Sequence, residues 1–195
     1  MTANIRGVLL AAGYSKRFGS NKLLYPLPAG SPGAGTPIAL AAARHFLEAL
    51  HESVAVIRPR AQRLGKLLRD AGCNTVVCKN AAEGMGVSLA EGVRASADAH
   101  GWVVALADMP YIKPETVRII AKALSEGAAI AAPAYRGERG HPVGFARRFL
   151  DELSGLRGDA GAREILKAHP DWITLYEVDD PGVLRDIDEP SDLEA

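Results

Sequence analysis

Hydrophobic positions along this chain fall into two alternating kinds of run. Short, nearly continuous apolar stretches such as IRGVLLAA (5–12) and WVVALAD (102–108) have the pattern of strands buried on both faces. SVAVIR (53–58), TVVC (75–78) and AAIAAPAY (128–135) read as further strands. Between them lie segments with apolar residues at helical spacing. TPIALAAARHFLEAL opens with Thr36 as the predicted N-cap and Pro37 at the first helical position. AQRLGKLLRDAG stops at Gly72 and KPETVRIIAKALSEG at Gly127, both in the place of a helix-terminating glycine. GMGVSLAEGVRASADA supplies another helix.

Strand-then-helix units of this length predict an α/β fold: a mostly parallel sheet with helices on both faces. After Tyr135 the pattern loosens. RGERGHPVGF reads as a turn into a short strand, GDAGAREILKAH as a capped helix, and ITLYEV as a strand open to antiparallel pairing. PAGSPGAGTP (28–37) is linker-like but too short to divide domains, and is expected to be a mobile surface loop.

Composition narrows the function. The 195 residues carry 23 Lys plus Arg against 23 Asp plus Glu, so no global field attracts nucleic acid or an anionic membrane. Anion binding must therefore be local. Cys73 and Cys78 lack a His or Cys cluster around them and read as reduced, partly buried thiols, which fits a cytoplasmic protein. The apolar stretch 8–12 is far too short for a signal-peptide core or a membrane span.

A local anion site is offered by LLAAGYSKRFGSNKLL (9–24), directly after the first strand. In open α/β sheets ligands bind beyond the carboxyl ends of strands. Ala11, Ala12 and Gly13 lack bulk, so backbone amides can approach a nucleotide. Lys16, Arg17 and Lys22 follow within a few positions, Arg17 as a planar fork for phosphate oxygens and Lys22 as a compact charge. The same spacing suits a solvated cationic turn. Neither a Gly-x-x-x-x-Gly-Lys-Ser/Thr motif nor a Gly-x-Gly-x-x-Gly after a strand is present, which disfavours a nicotinamide-dependent oxidoreductase.

Asp108 closes the strand 102–108 and would face the same crevice. A carboxylate there either holds a Mg²⁺-bound polyphosphate or caps the turn before Pro110. RDIDEPSDL near the end brings Asp186 and Asp188, two residues apart and so on one side of an extended segment. Glycines around Met85, with Ser88, place bare backbone at a helix start. His141 stands between a glycine and a proline, where it can hold a turn or reach a substrate. Asp159 in GDAGAR reads best as an N-cap with Arg163 one turn on.

The opening loop resembles the signature Leu-Ala-Ala/Gly-Gly-x-Ser-x-Arg-Met-Gly-x-x-Lys of the molybdenum cofactor nucleotidyltransferases. It matches at Leu10, Ala11, Ala12, Gly13, Ser15, Arg17, Gly19 and Lys22, and departs at Phe18, where Met is usual. Ala12 is similar to the cytidine-using branch, and Gly84, Met85, Gly86 and Ser88 match its Gly-Met-Gly-x-Ser stretch. The resemblance implies one three-layer Rossmann-like nucleotidyltransferase domain over residues 1–195. It implies transfer of CMP from CTP to the terminal phosphate of molybdopterin, with release of pyrophosphate.

In that scheme Leu10, Ala11, Ala12, Gly13, Arg17 and Lys22 bind the nucleotide, with Gly84, Met85, Gly86 and Ser88 at the cytosine end. Arg17, Lys22 and Asp108 are the catalytic set. Asp108 and Asp188 hold Mg²⁺, and His141 lies near the acceptor. A molybdenum enzyme would receive the product. The alternatives are GTP as donor, a sugar or polyol phosphate as acceptor, or a non-catalytic molybdenum cofactor carrier.

Overall fold

The first apolar run forms β1 (Ile5–Ala11), and alternate residues of it point to opposite sides of a sheet, as a two-residue side-chain period requires. Leu9 packs into one hydrophobic cluster and Val8 into another, and both are fully buried. The structure is a computed structural model and describes residues 4–15 and 17–193; Lys16 lies outside the described residues.

The remaining strands are β2 (Ser53–Ile57), β3 (Asn74–Val77), β4 (Gly101–Leu106), β5 (Ile130–Tyr135), β6 (Glu138–Arg139), β7 (Val143–Ala146) and β8 (Ile173–Glu177). All eight join one sheet in the order β3-β2-β1-β4-β7-β5-β6, with β8 also paired to β5. The ladders β1·β2, β1·β4, β2·β3 and β5·β8 are parallel, while β7 runs antiparallel to both β4 and β5. The sheet is therefore mostly parallel.

Helices α1 (Ile38–Ala49), α2 (Gln62–Asp70) and α4 (Pro114–Ser125) cover one face, through residues such as Phe46, Leu68 and Ile120. Helices α3 (Met85–Arg94), α5 (Leu150–Ser154) and α6 (Arg163–Ala168) cover the other, through Leu89, Leu153 and Ile165. Three layers result, in a Rossmann-like arrangement. Among the described residues no helix is long and apolar enough to cross a membrane.

Several local expectations are corrected. The last strand, β8, pairs parallel to β5, because β7 runs back antiparallel to β5 and its end and the start of β8 both lie beside Ile130, where β5 begins. Pro37, not Thr36, is the N-cap of α1, and it makes no side-chain cap. Thr36 is engaged instead in closing the loop 28–37: Leu27 N donates to its carbonyl at 2.9 Å, and Gly35 N donates back to Leu27 O at 2.9 Å. That loop lies on the surface, as expected, and these two bonds tie its base. Asp159 does not cap α6, whose N-cap is Ala162. Cys73 and Cys78 are free and buried.

The C-terminal tail is strapped onto the sheet's carboxyl end. Buried Asp180 accepts from Lys113 N at 2.8 Å, Thr116 Oγ1 at 2.6 Å and Gly182 N at 3.1 Å. Seven residues later Ile187 N donates to Asp108 O at 3.0 Å. The final turn is set by Asp192, whose Oδ2 accepts from Asp188 N and Glu189 N at 2.7 Å each.

Candidate functional site

Strand order reverses at β1, with β2 and β3 to one side and β4 to the other, so the loops leaving β1 and β4 diverge and leave a crevice. The crevice has a volume of about 360 Å³. Leu10, Ala12 and Gly13 from the end of β1, and Leu106 and Asp108 from the end of β4, form its floor. Gly84, Met85 and Ser88 at the start of α3 form one wall, and Arg17, Lys22 and Asp188 line it as well.

Its charged centre is a four-residue ion network. Lys22 opens a short 3-10 turn (Lys22–Leu24) anchored by buried Leu23, which leaves the lysine stem little freedom. Lys22 Nζ lies 2.8 Å from Asp108 Oδ2 and 2.8 Å from Asp188 Oδ1. Arg17 reaches the other oxygen of Asp188 at 2.7 Å. The Lys22 side chain is only 9 % exposed and that of Arg17 is 70 % exposed, so the lysine contact is the one shielded from salt.

Burial works against the charged form of Lys22, but the two carboxylates outweigh it and hold its pKa above the ordinary value. Lys22 is an ammonium at neutral pH. Burial pushes the Asp108 carboxyl up, Lys22 draws it down, and the charge of Asp186 adds to the rise. Asp108 Oδ1 is buried and has no hydrogen-bond partner among the described residues. An unused hard oxygen beside a second carboxylate is a fitting donor pair for a divalent cation such as Mg²⁺, which takes one or two protein carboxylates. The described residues hold no group of three or more His, Cys, Asp or Glu that could bind a metal.

The glycines at the start of α3 have a steric reason. Gly84 has φ 130°, and a Cβ there would lie 2.4 Å from the Gly158 carbonyl and 2.5 Å from Asp159 Oδ1. Gly86 N donates to Gly158 O at 2.8 Å, and a Cβ on Gly161 would meet Met85 Sδ at 3.2 Å. The loop before α6 thus clamps the start of α3, leaving Met85 half exposed at the cleft wall.

Three expected residues do not line the cleft. The Ala11 side chain is 1 % exposed and belongs to the core beneath it. Gly86 sits behind the wall, against the backbone of Arg157 and Gly158. His141 holds a turn: its N–H donates to Val183 O at 2.9 Å, and its buried Nδ1 has no partner among the described residues. Burial and the Arg139 charge lower its pKa to about 4, against a pull upward from Asp186. Asp186 is exposed and stands outside the cleft lining.

Cleft residues that the sequence pattern does not assign as ligands include Tyr14 and Asp159. Tyr14 lines the cleft at 46 % exposure, with the Arg58 guanidinium 4.8 Å from its ring centroid. Arg58 also donates to Gly13 O at 3.2 Å, which braces the opening loop. Its place directly after β2 was the available signal, since that strand's carboxyl end faces the same crevice. Asp159 lines the cleft beside Gly84, and the glycines flanking it marked a close approach.

Comparison with known proteins agrees with this geometry. A family model described as MobA-like NTP transferase domain matches residues 7–172. The purine catabolism protein PucB of Bacillus subtilis is 32 % identical over 199 residues, covering 95 % of this chain and 92 % of that one. Nicotine blue oxidoreductase of Paenarthrobacter nicotinovorans is 30 % identical, covering 94 % and 92 %. The crystal structure of Rv0371c from Mycobacterium tuberculosis superposes with a TM-score of 0.80 at 27 % identity, covering all of both chains. A further structure of Rv0371c is a complex with manganese, with a TM-score of 0.77 at 26 % identity, covering 98 % of this chain and 96 % of that one.

Proposed function

The chain belongs to the MobA-like NTP transferase family and is a nucleotidyltransferase of that type; from this premise we propose that it transfers CMP from CTP to the terminal phosphate of molybdopterin, releasing pyrophosphate. The observation that carries the reading is the ion network in which Arg17, Lys22, Asp108 and Asp188 converge at the strand switch point.

Each group has a task. Arg17 and Lys22 neutralise the triphosphate and hold its leaving end. Ala12 and Gly13 let the chain approach the nucleotide closely, and the wall formed by Gly84, Met85 and Ser88 receives the base and ribose. Asp108 and Asp188 would hold a divalent cation, for which the unpartnered Asp108 Oδ1 is the structural support. The metal when bound supplies Lewis-acid charge neutralisation on phosphate oxygens. The acceptor phosphate oxygen attacks the α-phosphorus in line and the bond to pyrophosphate breaks, so the protein's contribution is positioning and electrostatics. No side chain forms a covalent intermediate, and buried Cys73 and Cys78 have no part in the reaction.

Cytidine specificity rests on Ala12 and on the Gly-Met-Gly-x-Ser stretch, both resembling the cytidine-using branch. Manganese in a structure of Rv0371c supports a divalent metal for the family. The oxidoreductase name of one relative finds no counterpart here in a Gly-x-Gly-x-x-Gly after β1. Pyrophosphate release with CTP, molybdopterin and Mg²⁺ tests the proposal. A panel of nucleoside triphosphates scored by thermal stabilisation tests the base, the preferred one raising Tm most. Absence of turnover with CTP, or a clear preference for GTP, overturns it.

A further inference from the structure

Lys22 does more in this structure than a phosphate ligand needs to. Its ammonium lies between two carboxylates, 2.8 Å from an oxygen of each, and the side chain is 9 % exposed. These are the same two carboxylates that fit a divalent cation. A metal and the ammonium thus contend for one position, since both draw on Asp108 and Asp188 and like charges at such range repel strongly in a poorly solvated site.

Resting on the metal site proposed above, we propose that Lys22 is an internal counter-cation that competes with the metal for Asp108 and Asp188, and that it is released to the triphosphate only as the metal enters. Arg17 cannot take this role. It reaches Asp188 alone, and its exposed side chain is screened by solvent. The Lys22 side chain is 9 % exposed, so the ammonium has a short reach: the carboxylates on one side, the open cleft on the other. Metal and triphosphate are coupled by this exchange. Each stabilises the lysine position that the other requires, and such coupling is reciprocal by linkage.

The test uses Mn²⁺ alone, followed by electron paramagnetic resonance, on the full chain. Lys22→Met keeps the buried stem and removes the charge, and it is expected to bind Mn²⁺ at least about five-fold more tightly than the native protein, the lower end of ordinary site-to-site coupling. Arg17→Gln should change that affinity by less than about two-fold, as expected for a screened cation. Equal gains in both variants would mean a general charge effect and overturn the proposal, as would no gain in Lys22→Met.

CTP binding supplies a second arm. With EDTA, Lys22→Met should bind CTP as well as the native protein does; with Mn²⁺ present it should bind more weakly. A loss of the same size in both conditions overturns the proposal. If Lys22→Met does not fold, the Lys22 ammonium resonance of ¹⁵N-lysine-labelled native protein decides the matter. It must shift in step with Mg²⁺ saturation, and an unmoved signal refutes the exchange. Failure of the metal site itself has a different signature. Mn²⁺ binding that survives Asp108→Asn places the metal elsewhere and removes the parent reading, whereas binding that needs Asp108 but ignores Lys22 removes this inference alone.

Discussion

Lys22 and Asp188 stand 166 positions apart in the chain and 2.8 Å apart in the structure. The contact is made because the tail that carries Asp188 is bonded to the loop that carries Asp108, through Ile187 N and Asp108 O at 3.0 Å. The cation from the first loop therefore meets two carboxylates already held side by side.

Asp108→Asn tests the centre of that arrangement. The amide keeps the shape but removes the charge that a metal requires, so pyrophosphate release should fall by roughly 10²-fold or more. The circular dichroism spectrum should be unchanged, since Lys22 retains Asp188.

Asp180 does not line the cleft, yet its replacement should reach it. Asp180→Ala deletes three acceptor contacts at a site 1 % exposed and leaves Lys113 N and Gly182 N unsatisfied, a cost of about 3 kcal/mol in urea unfolding. Because the released tail holds Asp188, affinity for Mn²⁺ should drop in the same variant. Unchanged affinity would mean that the tail is positioned by other contacts.

Gly84→Ala introduces a Cβ 2.4 Å from the Gly158 carbonyl on a residue with φ 130°. Backbone clash and conformational strain together should lower stability by about 2–4 kcal/mol. KM for the nucleotide should rise as the start of α3 parts from the loop before α6.

Cys73 sets an alkaline limit. Burial raises its thiol from an ordinary 9.0 to about 11. Between these values the unfolded chain loses the thiol proton and the folded chain keeps it, so stability present below pH 9 is lost as pH climbs toward 11, by about 2–3 kcal/mol. Cys73→Ala should flatten that part of the stability–pH curve relative to the native protein.

His141 sets an acid limit of opposite sign. Its pKa is lowered from 6.5 to about 4, chiefly by burial. The unfolded state takes up the proton first as pH falls, so stability present above pH 6.5 is lost on the way down to pH 4, by about 3 kcal/mol. Imidazole Cε1–H resonances should show His141 neutral at pH 5.5, and His141→Gln should remove most of this acid-side slope.

Much of this protein was legible without coordinates. The continuous apolar runs at 5–12 and 102–108 identified the two strands beneath the cleft, because a strand covered on both faces excludes polar residues whatever its neighbours are. Gly72 and Gly127 marked helix ends because only glycine takes positive φ there without strain, and both do so, at 108° and 103°. The cations after β1 and the carboxylate after β4 were legible as chemistry placed at strand ends.

Tertiary structure decided what depends on distant partners. Asp159 has the local pattern of an N-cap, yet it lies on the cleft wall because the start of α3 packs against its loop. β8 pairs parallel because antiparallel β7 has already returned the chain to the end where β5 begins. Lys22 lies between two aspartates because the tail, bonded through Ile187 N to Asp108 O, returns to the end of β4. Side-chain period, helix stops and turn chemistry arise between neighbours a few residues apart, and sequence alone determines them. Which charges meet is set by packing across the whole sheet, and only the fold determines that.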